Sequence, residues 1–179
     1  LAACKAGLKV ILSEDSDWIG GQFTTQATPP DEHGWIEQFG CTRSYRQFRE
    51  QVRAYYRQQY PLTQEARENP HLNPGNGWVS PLCAEPKVFL AVLQDTLAPF
   101  IASGQLILLL NHRPLSAAYS PQAVHHIVLQ AAESGKKIEV RAHYFVDATE
   151  LGDLLPLTQT AWVGGSESQW ETGEPSAKA

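Results

Sequence analysis

With 179 residues, 42% hydrophobic content and a formal net charge of −5, the chain has the makeup of a globular domain, or of one domain and part of another. Its acid excess gives no electrostatic footing for nucleic acid, and no apolar run is long enough to span a membrane. Three scattered cysteines, Cys4, Cys41 and Cys83, make no disulfide framework; six histidines without HxxxH spacing, and no CxxC, point away from a metal site.

The chain opens on what reads as a helix end. Ala2, Ala3 and Ala6 are strong helix formers, small enough to pack closely on a sheet, and Gly7 suits a left-handed helix cap. Val10-Ile11-Leu12 is a continuous apolar run, as expected of a parallel strand covered on both faces. Glu14 then falls at the strand tip, where a carboxylate can accept hydrogen bonds from ribose hydroxyls. This order is that of the second half of a βαβ dinucleotide-binding unit. Such a carboxylate lies about 20 residues beyond a glycine fingerprint. Only 13 residues precede Glu14 and the chain contains no GxGxxG, so the first strand and its glycine loop are expected upstream of Leu1. The lack of any methionine agrees with that expectation. An ordinary αβ unit with a surface glutamate fits the same segment equally well.

A long insertion follows. In Trp18-Ile19-Gly20-Gly21-Gln22 the paired glycines permit positive φ and a close approach of backbone to a ligand, or simply a turn. Thr28-Pro29-Pro30-Asp31 is a loop signal. Residues 44–60 predict an amphipathic helix, with Tyr45, Phe48, Val52, Tyr55, Tyr56 and Tyr60 on its apolar side. Arg46, Arg49, Arg53 and Arg57 read as the opposite, basic stripe, either an anion-binding surface or, the plainer reading, a solvated face. Pro61 ends this helix, and residues 69–81 read as an ordered loop carrying Trp78. His33, Cys41 and Arg43 stand in the insertion where a substrate could bind. Cys41 reads as a redox thiol or a buried small residue, and His33 as a general base or a solvated loop histidine.

Glu85-Pro86 opens a second helix whose apolar face is Phe89, Leu90, Leu93, Leu97 and Ile101, with a kink expected at Pro99 and Gly104 just past its end. A buried strand over 106–110 follows, which repeats the helix, glycine, strand rhythm of a doubly wound sheet. Strands over 114–119, 123–130 and 137–142, with turns at Ser120-Pro121 and Ser134-Gly135, alternate apolar and polar residues as a meander with one exposed face does. His125 and His126, adjacent on one strand, point to opposite faces and cannot chelate together. Tyr144-Phe145-Val146 then reads as an apolar strand that stops at Asp147-Ala148-Thr149, small residues that admit a ligand to the backbone. Leu154-Leu155 restart burial, and the polar tail from Gly164 is expected to loop away.

This succession, together with Asp147-Ala148-Thr149-Glu150-Leu151-Gly152-Asp153-Leu154-Leu155-Pro156-Leu157, resembles flavoprotein oxidoreductases of the glutathione-reductase-like FAD-binding fold. It is most similar to the FAD-dependent oxidoreductase family whose members carry a DATELGDLLPL-like segment, and the likeness covers residues 1–175. The resemblance implies an α/β architecture: a partial doubly wound, Rossmann-like FAD-binding domain lacking its first strand, with a small antiparallel β-meander and a helical insertion. It divides the chain into a partial dinucleotide-binding unit (1–22), an insertion on the substrate side (23–84), the helix, strand, meander and Asp-Ala-Thr strand of the FAD-binding domain (85–155), and a tail (156–179).

By the same resemblance the cofactor is FAD, with Glu14 on its adenosine ribose. Gly20, Gly21 and Gln22 would line its pyrophosphate and flavin side, and Asp147, Ala148 and Thr149 would form a strand end passing near it. Glu150 stands where a glycine is usual. The family's glycine fingerprint, and the C-terminal segment that completes its site, have no counterpart in the chain. No residue matches a catalytic motif, and none is required, because the flavin ring carries the chemistry. The implied reaction is hydride transfer between a small organic substrate and FAD. An NAD(P)-dependent dehydrogenase and a non-enzymatic partner-binding module are the alternatives. Alone, the 179 residues are expected to be inactive, to bind FAD weakly and to aggregate, because a central strand and the phosphate-binding loop would be missing.

Overall fold

The structure, a computed structural model, describes residues 1–177; the last two residues of the predicted tail, Lys178 and Ala179, lie outside the described residues. The chain forms two compact units, residues 1–112 and residues from 113 onward. Each is described by itself.

The first unit opens with α1 (Ala2–Lys5), and Gly7 at φ +84° closes it as expected. The Gly7 amide donates to the Cys4 carbonyl and the Leu8 amide to the Ala3 carbonyl, the paired bonds of a Schellman cap. β1 (Val10–Ser13) pairs in parallel with β2 (Leu106–Leu109), Val10 opposite Leu106 and Ser13 opposite Leu109. Between them lie a 3-10 turn (Gly21–Phe23), α2 (Arg43–Gln59), α3 (Gln64–Glu68) and α4 (Pro86–Ala102).

Helix α4 organises this unit. Glu85 is its N-cap, Pro86 its first residue, and Gly104 (φ +72°) turns the chain into β2, as the sequence predicts. The helix continues past Pro99, which has no N–H to donate to the turn before it, and ends at Ala102. One side of α4 presents Val88, Phe89 and Val92 to Phe48, Val52 and Tyr56 of α2. Phe23, Phe48 and Phe89 meet ring to ring, with centroids 5.6–5.9 Å apart. The other side presents Leu90 and Leu97 to Cys4, Ile19 and Leu106. Each such side chain contributes about 1.5–3 kcal/mol on full burial. The helix thereby fixes the insertion to the parallel strands.

The expectation that β1 is covered on both faces is not met. Ile11 and Leu12 are 43% and 38% exposed, and Ile107 of β2 is 51% exposed. The sheet has two strands and α1 and α4 cover one side, so Ile11 and its neighbour Ile107, which face the other way, meet solvent; Leu12 points to the covered side but is not among the side chains packed there.

The second unit is the expected meander, β3 (His112–Ser120), β4 (Ala123–Ala131) and β5 (Lys137–Val140), in the order β3-β4-β5. β4 and β5 are antiparallel, with Ile127 opposite Val140 and Leu129 opposite Ile138. Ile127 and Leu129 are buried, so the period-two alternation was a true report of one inward face. Two short helices follow, α5 (Leu154–Thr158) and α6 (Gln169–Thr172). The predicted strand over 144–146 does not form; Tyr144 and Val146 are 87% and 84% exposed. A strand needs a hydrogen-bonded neighbour, and this segment pairs with no strand among the described residues.

Candidate functional site

Glu14 follows directly on β1, at the carboxyl end of the parallel pair, which is where open α/β sheets bind ligands. Its backbone continues the pairing: the Glu14 amide donates to the Leu109 carbonyl (2.9 Å), and the Glu14 carbonyl accepts from the His112 amide (2.9 Å). The half-buried carboxylate is oriented through one oxygen. Oε1 accepts from the Ser16 amide (3.1 Å) and the Ser16 hydroxyl (2.8 Å). Oε2 has no hydrogen-bond partner among the described residues. A carboxylate held by one oxygen and open at the other can receive hydroxyl donors without first being reoriented.

Gly20 and Gly21 adopt φ +114° and +48°, the positive values that the paired glycines anticipated. At Gly20, however, the missing side chain is used by the protein itself. A Cβ would stand 2.7 Å from Leu93 Cδ1 and 2.9 Å from Thr24 Cγ2, so this glycine brings the turn close to α4. Gln22, next in the 3-10 turn, donates its Nε2 to the Pro29 carbonyl (3.2 Å) and lines an open cavity of about 390 Å³ in the insertion, together with Asp31, Glu32, His33, Cys41 and Tyr45. The structure thus brings Gln22 to His33 and Cys41, and leaves Arg43 outside the lining.

Beneath this cavity, α2 does not carry its arginines as the predicted exposed basic stripe. Arg49 and Arg53 are fully buried. Arg49 binds Glu32 through Nη1 and Glu37 through Nη2. Arg53 binds Glu37 through both terminal nitrogens and donates its Nε to the Leu72 carbonyl (3.0 Å). Arg57 instead stays at the surface, bonded to the carbonyls of Arg67 (3.3 Å) and Asn69 (2.8 Å). The helical geometry explains the error. At about 100° per residue, Arg49 lies about 20° from Tyr56, inside the apolar arc between Tyr56 and Tyr60, whereas Arg46 projects about 80° from Tyr56, outside it. What α2 buries at its centre is therefore charge, matched by two glutamates from the loop before it. That loop carries no periodic signal, which is why Glu32 and Glu37 escaped the sequence reading.

The network sets local ionisation. Burial pushes the Tyr45 phenol upward, and the neighbouring Glu32 carboxylate, which accepts its proton at 2.5 Å, pushes it further. Burial also raises Glu37, but Arg53, Arg49 and His71 outweigh it and hold that carboxyl below its ordinary value. A carboxylate so depressed stabilises the fold above its unfolded pKa, and the contribution is lost as pH falls through the folded one. The near-ultraviolet circular dichroism of the protein is therefore expected to decay on acidification below the ordinary carboxylate range. Glu37→Gln, which has no proton to take up there, should start less stable at neutral pH and show a shallower acid dependence. An unchanged slope in that variant would refute the assignment.

In the second unit, Asp147, Ala148 and Thr149 lie in a turn. Asp147 Oδ1 accepts from the Thr149 amide (2.9 Å) and hydroxyl (2.8 Å), and Oδ2 from the Leu154 amide (2.9 Å) at the start of α5. Burial pushes the Asp147 carboxyl up, but the three bonds together outweigh it and hold that carboxyl below its ordinary value. The carboxylate is thus engaged in shaping the turn, while Ala148 and Thr149 are exposed. Among the described residues no group of three His, Cys, Asp or Glu side chains is placed to hold a metal ion.

A parallel strand pair ending in an oriented acidic residue, a Gly-Gly turn behind it and a separate meander make a combination that can be compared with known families. The profile of the FAD dependent oxidoreductase family matches residues 1–179. The chain belongs to the FAD dependent oxidoreductase family. No curated protein and no solved structure matches it. Membership makes this an FAD-dependent oxidoreductase domain with FAD as its cofactor, and its parallel β1–β2 pair beside helix α4 fits a Rossmann-like fold. Its own residues fit that cofactor at one point in particular, the open Oε2 of Glu14 at the carboxyl edge of β1. No helix is long and apolar enough to cross a membrane, among the described residues.

Proposed function

We propose that this domain holds the adenosine end of FAD at the tip of β1 and serves the oxidation of a small organic substrate by hydride transfer. Bound flavin supplies the hydride acceptor. The observation that carries the reading is the Glu14 carboxylate, oriented through Oε1 by Ser16 and free at Oε2. We assign its open oxygen to the ribose hydroxyls. Gly20 and Gly21 shape the turn that follows, and Gln22 carries it to the edge of the insertion cavity, which we take as the substrate side. From the family resemblance we also assign Asp147, Ala148 and Thr149 to the cofactor; within their own unit the carboxylate shapes the turn and engages the Thr149 amide, and Ala148 and Thr149 are exposed. In this reading the domain is a partial doubly wound one, with residues 23–84 as its substrate-side insertion.

The full-length protein is expected to purify with the visible absorption of oxidised flavin, and to lose it in one two-electron step on anaerobic reaction with a reducing organic substrate. A colourless protein that binds added NAD⁺ but not FAD would contradict this reading.

A further inference from the structure

The insertion cavity has one-sided chemistry. Asp31 lines it and makes no ion pair or hydrogen bond among the described residues. The Tyr45 hydroxyl has its proton engaged by Glu32, so its oxygen acts as an acceptor, with the Arg49 guanidinium on its buried side. Gln22 spends one N–H of its amide on the Pro29 carbonyl and keeps its carbonyl oxygen as an open acceptor. No lysine or arginine lines the cavity. The charge of Glu32 is met from beneath: Glu32, Glu37, Arg49 and Arg53 together sum to zero, so Asp31 remains as an uncompensated negative charge.

His33, which lines the cavity, belongs to an exposed aromatic group that extends away from the lining. Trp35 and Phe39 are 62% and 59% exposed, yet their rings stack, 6.2 Å between centroids at 12°. His33 completes the group at 6.3 Å from Trp35 and 6.0 Å from Phe39. Its Nδ1 accepts from the Trp35 amide (3.2 Å), and its ring lies over Gly40, at φ +84°, where a Cβ would overlap it. Three rings held together while largely open to water are an expensive use of apolar surface unless something covers them. Aromatic faces beside acceptors and an unpaired carboxylate are the set that selects a cation carried on an apolar body.

We propose that this cavity binds the ammonium group of an organic amine, with Asp31, the Tyr45 oxygen and the Gln22 carbonyl as acceptors and the Trp35–Phe39 pair against the amine's apolar part. That the amine is the substrate rests on the flavin reading; that it binds does not.

Calorimetric titration of the full-length protein with benzylamine at neutral pH, against benzyl alcohol and benzoate as controls of matched size, tests the assignment. Benzylamine is expected to bind saturably and the two controls at least about tenfold more weakly, since neither carries a positive charge. Asp31→Asn and Trp35→Ala, both at exposed positions, are each expected to weaken benzylamine about threefold or more with unaltered thermal midpoints. No saturable benzylamine binding, equal affinity for benzyl alcohol, or unmoved affinity in both variants overturns the proposal. Flavin absorbance of the same samples is read separately. Retained FAD without amine binding overturns the amine site and spares the cofactor reading; amine binding in a flavin-free protein does the reverse.

Discussion

Arg49→Ala is expected to destabilise the protein by about 3–5 kcal/mol, the range for removing one partner of a buried ion pair. Arg49 is fully buried, and both its terminal nitrogens are engaged, one by Glu32 and the other by Glu37. Glu32 is 1% exposed, so without Arg49 a carboxylate stays in the interior with only the Tyr45 hydroxyl and a long contact from Ser80 (3.5 Å). Arg53 cannot substitute, since its guanidinium is already shared between Glu37 and the Leu72 carbonyl. The size of the loss comes from stranding a charge, not from the strength of the pair. Replacing the pair by neutral groups, in Arg49→Met with Glu32→Gln, should therefore cost less than Arg49→Ala alone. Arg46, on the same helix but without an inward partner among the described residues, should change stability by no more than about 0.5 kcal/mol on truncation. Equilibrium urea unfolding measures all three. Equal effects at positions 46 and 49 would mean that the ion network does not support the insertion.

What the sequence made legible was local. The Gly7 cap, the Glu85-Pro86 start of α4, the Gly104 turn and the alternation in β4 and β5 each rest on a preference expressed within a few residues, and each stands in the structure. Position along β1 was legible too: the apolar run Val10-Ile11-Leu12 places Glu14 at a strand tip, where it stands. Relations between distant segments were not. Whether Ile11 and Leu12 are covered depends on what packs against the sheet, and Val146 becomes a strand only if a neighbour offers its backbone. The insertion cavity depended most on such relations. Glu32 lies 17 positions before Arg49, and neither residue alone announces the other. Only the angular position of Arg49, within the apolar arc of α2, hinted that a buried acid must exist somewhere to receive it.

The second large effect is expected at Glu14. Hydrogen bonds that a carboxylate accepts from ribose hydroxyls are charge-assisted and contribute about 1.5–3 kcal/mol, so Glu14→Ala should weaken FAD by about 10- to 150-fold. The same substitution also removes the anchor of the Ser16 turn, and Ser16→Ala separates the two roles. It deletes the 2.8 Å bond to Glu14 Oε1 but keeps the carboxylate, and should cost FAD affinity far less. FMN offers a further contrast, because it lacks the adenosine ribose and its affinity should not respond to Glu14→Ala.

The most direct measurement is an FAD titration of the full-length protein and its Glu14→Ala variant, followed by flavin fluorescence, with FMN in parallel. Saturable FAD binding that falls at least about tenfold in the variant, with FMN unaffected, is the expected result. Equal FAD affinity in the two proteins would contradict the placement of the cofactor at the end of β1.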